Sequence, residues 1–146
     1  MFALPLFVPD YAALRQGEDW TLENRVASRP RVEPRFDGPT SLLIGDITYS
    51  SAMLLADAAR TYDLMLTIGQ PTGGVPNAMG DIGPFELLNS RIVVSFSQKM
   101  FVRASGDESD LGPVRPHIEV TPVAGRDATL ERAIVEMRRV VKSRQL

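Results

Sequence analysis

Ser50 and Ser51 are the two residues of this chain whose type and setting could do covalent chemistry. They stand in Gly45-Asp-Ile-Thr-Tyr-Ser-Ser-Ala-Met-Leu-Leu-Ala-Asp-Ala-Ala-Arg60, which reads as the end of a buried strand, a tight turn and a helix. A hydroxyl at the mouth of a helix lies beside unpaired backbone N–H groups and the positive end of the helix dipole, and both stabilise the oxyanion formed when serine attacks a carbonyl. The chemistry suggested is acyl transfer. A serine in front of a helix serves more often as an N-cap, so the motif alone does not decide between the two roles.

The elements that must position the serines follow from the pattern of apolar residues. Ser41 to Gly45 predicts a short strand, Ser51 to Tyr62 a helix with Ala52, Leu55, Ala56 and Ala59 on one face, and Leu64 to Gly69 a second strand. Strand, helix and strand make one parallel unit, with the serine turn at the C-terminal end of the first strand. Open α/β sheets bind their ligands at that edge. Gln70 to Pro84 carries four glycines and three prolines and reads as a loop. It lacks the Gly-Lys-Ser or Gly-Lys-Thr ending of a phosphate loop. Phe85 to Leu88 and Ile92 to Phe96 predict a hairpin, and an edge strand there could pair with an extended peptide. Arg103 to Pro113 reads as a charged loop and Ile118 to Val120 as a strand. Asp127 is the expected N-cap of a last helix, whose Leu130, Ala133, Ile134, Met137 and Val141 form an apolar stripe. Part of that stripe is left uncovered if the chain is a piece of a larger domain.

Several of these segments recur together in one known family. Thr48-Tyr-Ser-Ser-Ala52, Leu66-Thr-Ile-Gly-Gln-Pro-Thr-Gly-Gly74, Phe85-Glu-Leu-Leu-Asn-Ser-Arg-Ile-Val-Val-Ser95, Gly112-Pro-Val-Arg-Pro-His-Ile-Glu-Val120 and Gly125-Arg-Asp-Ala-Thr-Leu-Glu-Arg-Ala133 follow in order. The succession, over residues 35 to 140, resembles the C-terminal part of the catalytic domain of the tail-specific, or C-terminal processing, serine peptidases. It is closer to the branch with the tricorn-like peptidases and the retinoid-binding repeats. The resemblance implies an α/β fold of the crotonase/ClpP-like kind, here a fragment: a parallel strand-helix-strand unit, a β-hairpin and a C-terminal helix. Residues 1–40 are then an N-terminal remnant with an extended connection, and residues 41–146 the C-terminal part of the catalytic domain.

Carried over residue by residue, the resemblance makes Ser50 the nucleophile and the Ser51 N–H half of the oxyanion hole, with Ser51 as the other candidate nucleophile. The lysine base of the processing branch has Val75 at its position. The other branch uses a histidine oriented by a second serine, both upstream of the nucleophile, and a downstream acid. Asp110 falls at the position of that acid, with Glu108 as the alternative. The one histidine, His117, stands in a segment that reads as a strand start, and a structural or surface role suits it better than that of a base. Residues 1–40 hold no histidine and only the isolated Gly17 and Gly38. The expectation is a serine-type endopeptidase fragment, cleaving peptide or protein substrates near their C-termini. It would be inactive alone, its missing N-terminal part being supplied by the rest of the domain or by another chain. Two other classes share the architecture: a non-catalytic binding module for an apolar ligand or peptide, and an acyl-CoA enzyme of the crotonase type. Export from the cytoplasm is implied by the resemblance alone.

Composition narrows the partners. With 16 basic and 18 acidic residues and a net charge of −2, the chain has no strong attraction for nucleic acid or anionic membranes. The run Arg138-Arg-Val-Val-Lys-Ser-Arg144 suits a solvated helix end. No cysteine is present, which excludes disulfides and thiol catalysis, and one histidine without clustered carboxylates gives no expected metal or cofactor. Met1 to Asp10 is apolar but broken by proline, too short to span a bilayer and a poor secretory signal. Further along, Tyr11 to Gln16 could form a short helix, Trp20 is a core anchor by default, and the prolines of Arg29 to Arg35 favour an extended connection.

Overall fold

The computed structural model describes Phe36 and residues 38–143. The chain divides into two units, Met1–Phe36 and Asp37–Leu146, and every element below belongs to the second. The expectations for Met1 to Asp10, Tyr11 to Gln16, Trp20 and Arg29 to Arg35 lie outside the described residues.

Strand β1 (Ser41–Ile44) leads through helix α1 (Ser50–Thr61) to strand β2 (Leu66–Gly69). The two strands pair in parallel with Ser41 opposite Leu66 and Ile44 opposite Gly69. A third strand, β5 (Ile118–Glu119), adds in parallel on the far side of β2, with Ile68 opposite Ile118. The order β1-β2-β5 leaves β1 at one edge among the described residues. Side chains alternate along β1 as strand geometry requires. Leu42 and Ile44 pack with Met53 and Leu54 of α1, Ala56 and Val114. Ser41 and Leu43 face helix α2 (Ala128–Ser143) on the other side. Apolar faces on both sides of a small parallel sheet are thus covered by helices, the usual solution for this class.

Helix α2 starts where the sequence predicts. The Leu130 N–H donates to Asp127 Oδ1 at 2.9 Å, the bond of an N-cap to the third helical residue. Its apolar stripe is only partly covered, for among its described residues Ala133 alone is buried.

The Gly/Pro-rich stretch departs from its expected loop. Strand β3 (Ala78–Glu86) and strand β4 (Val93–Phe101) form a two-stranded antiparallel ribbon, longer at its base than the expected hairpin, with Ala78 opposite Phe101 and Glu86 opposite Val93. The glycines act here as space rather than as breaks. A Cβ on Gly80 would stand 2.8 Å from the Phe101 ring, and one on Gly83 would stand 1.9 Å from the Gln98 side chain. Each therefore accepts a large side chain from the neighbouring strand. Pro84 is tolerated because each strand of a two-stranded ribbon has one edge without a ladder partner.

Candidate functional site

The path from β1 into α1 is a compact turn built by Thr48. Its N–H donates to the Gly45 carbonyl at 2.9 Å, while its Oγ1 accepts from the Gly45 N–H at 3.0 Å. The Gly74 N–H donates to the Thr48 carbonyl at 3.2 Å and so ties the turn to the loop after β2. Gly73 lies directly beneath: a Cβ there would come within 1.9 Å of the Asp46 carbonyl oxygen and 2.5 Å of the Tyr49 Oη. Only glycine fits. Gly73→Ala is expected to push the turn outward and lower the reactivity of Ser50 at least tenfold, with about 1–3 kcal/mol of destabilisation. Wild-type labelling kinetics with a serine-directed reagent, measured with a histidine-bearing complement present, would contradict this account of the loop.

Ser50 is the first residue of α1 and has φ 52°. A non-glycine residue in the left-handed region costs on the order of 1 kcal/mol, and such strain collects at functional sites. The N-cap is Tyr49, extended at φ −131° and ψ 166°, and no side chain caps the helix. Neither Ser50 nor Ser51 spends its hydroxyl on a hydrogen bond among the described residues, and both are exposed. The first backbone bond into the turn is from the Met53 N–H to the Tyr49 carbonyl at 3.4 Å. The N–H groups of Ser51 and Ala52 therefore remain free for an incoming anion, and no acidic residue in the first turn offsets the helix dipole there. A strained, uncapped and accessible hydroxyl beside free N–H donors has what an acyl-transfer nucleophile requires, apart from a base.

His117 is not that base. Its Nδ1 accepts from the Thr67 N–H at 3.1 Å and from the Thr67 hydroxyl at 2.7 Å, which leaves the ring proton on Nε2, 3.6 Å from Asp63 Oδ1. The His117 N–H in turn donates to the Thr67 carbonyl at 2.9 Å. Thr67 is fully buried, so the histidine satisfies polar groups of β2 just before β5 begins. The expectation of a structural histidine holds. His117→Ala is expected to cost about 1–3 kcal/mol in urea unfolding, with the reaction of Ser50 toward a fluorophosphonate, in the presence of a histidine-bearing complement, unchanged in rate.

The two acid candidates stand differently. Asp110 is ion-paired with Arg103, whose side chain is 8 % exposed, and its Oδ1 accepts from the Gly112 N–H at 2.9 Å. Arg103 also faces Asp57 of α1 at 3.8 Å, and Asp57 Oδ2 accepts from the Ala104 N–H at 2.5 Å. Asn77 completes the network. Its Nδ2 donates to the carbonyls of Asp107 and Asp110 at 2.7 and 2.9 Å, and its Oδ1 accepts from the Arg103 N–H at 2.8 Å. The Asp110 carboxylate thus belongs with Asp57, Arg60 and Thr61, whereas Ser50 stands about 10 Å up the helix axis from Asp57 at 1.5 Å per residue. No hydrogen bond joins Ser50 to Asp110 among the described residues. Glu108 is exposed in the same anchored loop and has no ion pair or hydrogen bond among the described residues. Its neighbour Asp107 is held below the usual carboxylate range by hydrogen bonds from the Ser109 hydroxyl and N–H. Among the described residues no group of His, Asp or Glu could hold a metal ion, and no helix is long and apolar enough to cross a membrane.

Sequence reasoning missed the roles of Asp57 and Asn77. A lone aspartate inside the apolar run Ser51 to Tyr62 was the available signal, since a carboxylate on a helix face that packs against a sheet needs a partner.

Comparison with known proteins bears on the family and the fold. The sequence model of peptidase family S41 matches residues 6–120. A solved structure described as the crystal structure of mature CPAF is similar with a TM-score of 0.50 and 23% identity, over 77% of this chain and 20% of that one. The chain therefore spans about one fifth of that structure, and the likeness is one of fold, of the crotonase/ClpP-like kind. No curated protein matches the chain.

Proposed function

The chain belongs to peptidase family S41, and from that premise we propose that it carries the nucleophile half of a serine peptidase site, with Ser50 as the attacking residue. The observation that supports this most is the state of Ser50: left-handed backbone at φ 52°, no capping bond, and a helix start without a side-chain cap. In the proposed reaction Ser50 Oγ bonds to a peptide carbonyl carbon as its proton passes to an imidazole. The carbonyl oxygen takes the negative charge and accepts from the Ser51 N–H. Collapse breaks the C–N bond, the imidazolium protonates the leaving amine, and water then releases the acyl group from Ser50 by the reverse proton path.

That imidazole is not among these 146 residues once His117 is committed to Thr67. It comes, on this reading, from another part of the peptidase or from another chain, as does the second oxyanion donor. Glu108 is the better candidate for the acid that completes the group, because Asp110 is already bound by Arg103. The substrate is a polypeptide cut near its C-terminus.

The test is reconstitution. Mixed with a histidine-bearing N-terminal part of an S41 catalytic domain, the chain should hydrolyse a fluorogenic peptide that neither component cleaves alone. Tight binding of an apolar ligand, with no hydrolysis in any mixture, would instead make it a non-catalytic module of the same fold.

A further inference from the structure

With Ser50 read as nucleophile and Glu108 as the acid, we propose that Asn77 is a positioning residue of the same site, holding the turn that carries Glu108 at a fixed distance from the turn that carries Ser50. Glu108 stands in a loop whose backbone is tied on both sides of it. Asn77 Nδ2 donates to the Asp107 carbonyl just before Glu108 and to the Asp110 carbonyl just beyond it, at 2.7 and 2.9 Å. Its Oδ1 accepts from the Arg103 N–H, at the entry to the loop, at 2.8 Å. Asp107 Oδ1 closes the turn over Glu108 by accepting from the Ser109 N–H at 3.0 Å and from the Ser109 hydroxyl at 2.6 Å. Glu108 itself is exposed and makes no bond among the described residues. An unspent carboxylate on a backbone held at both neighbours is pre-organised for an incoming group.

Asn77 also connects this loop to the nucleophile. Residues 72–77 form one short span that touches the serine turn in its middle and the acid-bearing loop at both ends. In the middle, the Gly74 N–H donates to the Thr48 carbonyl at 3.2 Å, and Gly73 lies against Asp46 and Tyr49. At the start, buried Thr72 exchanges two bonds with Val114, just past the loop. The Thr72 N–H donates to the Val114 carbonyl and the Val114 N–H to Thr72 Oγ1, each at 3.0 Å. At the end, Asn77 is 6 % exposed and follows Pro76, whose side chain is fully buried and whose ring fixes φ. Gly74 and Asn77 are so close in sequence that their Cα atoms stand at most about 11 Å apart. The span is therefore short, stiff and anchored on both turns. Loss of the Asn77 amide would free the Glu108 turn from its three bonds while the contacts of Gly73 and Gly74 with the serine turn persist.

Double-mutant kinetics in the reconstituted peptidase test this. Asn77→Ala and Glu108→Gln should each lower kcat at least about tenfold, with KM changed by less than about twofold. Once Glu108 is replaced, Asn77→Ala should have no further effect on kcat, whereas its shift of the urea midpoint should be the same in both backgrounds. Asn77→Asp, which keeps the volume and the acceptor for the Arg103 N–H but sets a carboxylate against two carbonyls, should act like Asn77→Ala. Hydrogen exchange on the full wild-type chain needs neither a variant nor the complement, so it decides the matter even if the Asn77 variants fail to fold. The amides of Arg103, Ser109 and Gly112 should exchange at least about tenfold more slowly than in an unfolded chain, and in a folded Asn77→Ala chain most of that protection should be lost. An equal factor on kcat in both backgrounds would make Asn77 a structural residue only and overturn the proposal, as would an unprotected wild-type loop or wild-type kcat in Asn77→Ala. Wild-type kcat in Glu108→Gln would overturn it too, while leaving Ser50 as nucleophile. Absence of hydrolysis in every mixture would remove the reading of the site, and the proposal with it.

Discussion

Replacing Ser50 with alanine should abolish turnover in the reconstituted peptidase, by about 10⁴-fold or more in kcat, with KM little changed. The size follows from its proposed role: without the nucleophile only oxyanion stabilisation and substrate binding remain, and these leave a small residual rate. Ser51→Ala should retain most of the activity, because Ser51 contributes its backbone N–H and alanine keeps that donor. The pair separates the two adjacent serines cleanly. A third variant reads the strain: Ser50→Gly should be more stable than Ser50→Ala by about 1 kcal/mol, since glycine adopts the left-handed conformation without penalty. Activity at the wild-type level in Ser50→Ala, or collapse in Ser51→Ala alone, would move the nucleophile to Ser51.

The largest loss of stability should come from Arg103. Its side chain is buried between Asp57 and Asp110, and Asp57 is itself 3 % exposed on the helix that begins with Ser50. Removing the guanidinium leaves a buried carboxylate without its cation, which typically costs about 3–5 kcal/mol. Against the 5–15 kcal/mol that holds an ordinary domain together, that is a large fraction. Arg103→Ala should therefore shift the urea midpoint sharply. Arg115→Ala, at an exposed position in the same loop region, should change stability by less than about 0.5 kcal/mol. Replacing Asp57 by asparagine in the Arg103→Met background should recover part of the loss, because the buried charge is gone while a hydrogen bond to the Ala104 N–H can persist. A cost below about 1 kcal/mol for Arg103→Ala would mean that the network does not hold the loop.

The parts legible in the sequence are those that local pattern governs. The short strand β1, the existence of helix α1 and the Asp127 cap all depend on neighbours within a few residues, whereas the packed face of α1 does not: Met53, Ala56, Asp57 and Ala59 are buried, and Ala52 and Leu55 of the expected stripe are exposed. The serine turn was legible for the same reason, as a strand followed at once by a helix with hydroxyls between. What escaped was set by distance along the chain. Nothing local says that Asp57 will meet Arg103 or that Gly73 will sit beneath Tyr49 and Asp46. The ribbon was shortened for a related reason: Gly80, Gly83 and Pro84 break a strand by propensity. Here Gly80 and Gly83 make room for Phe101 and Gln98 on the strand opposite. The left-handed conformation of Ser50 is likewise a product of the turn that Thr48 closes, not of the serine itself.

The central claim, that Ser50 is a nucleophile, is tested most directly by peptide mapping after reaction with a fluorophosphonate in the presence of the histidine-bearing part. A single phosphonyl adduct on Ser50, absent when the complement is left out and absent in Ser50→Ala, is the predicted result. An adduct on Ser51, or label spread over exposed serines at equal rates, would contradict it.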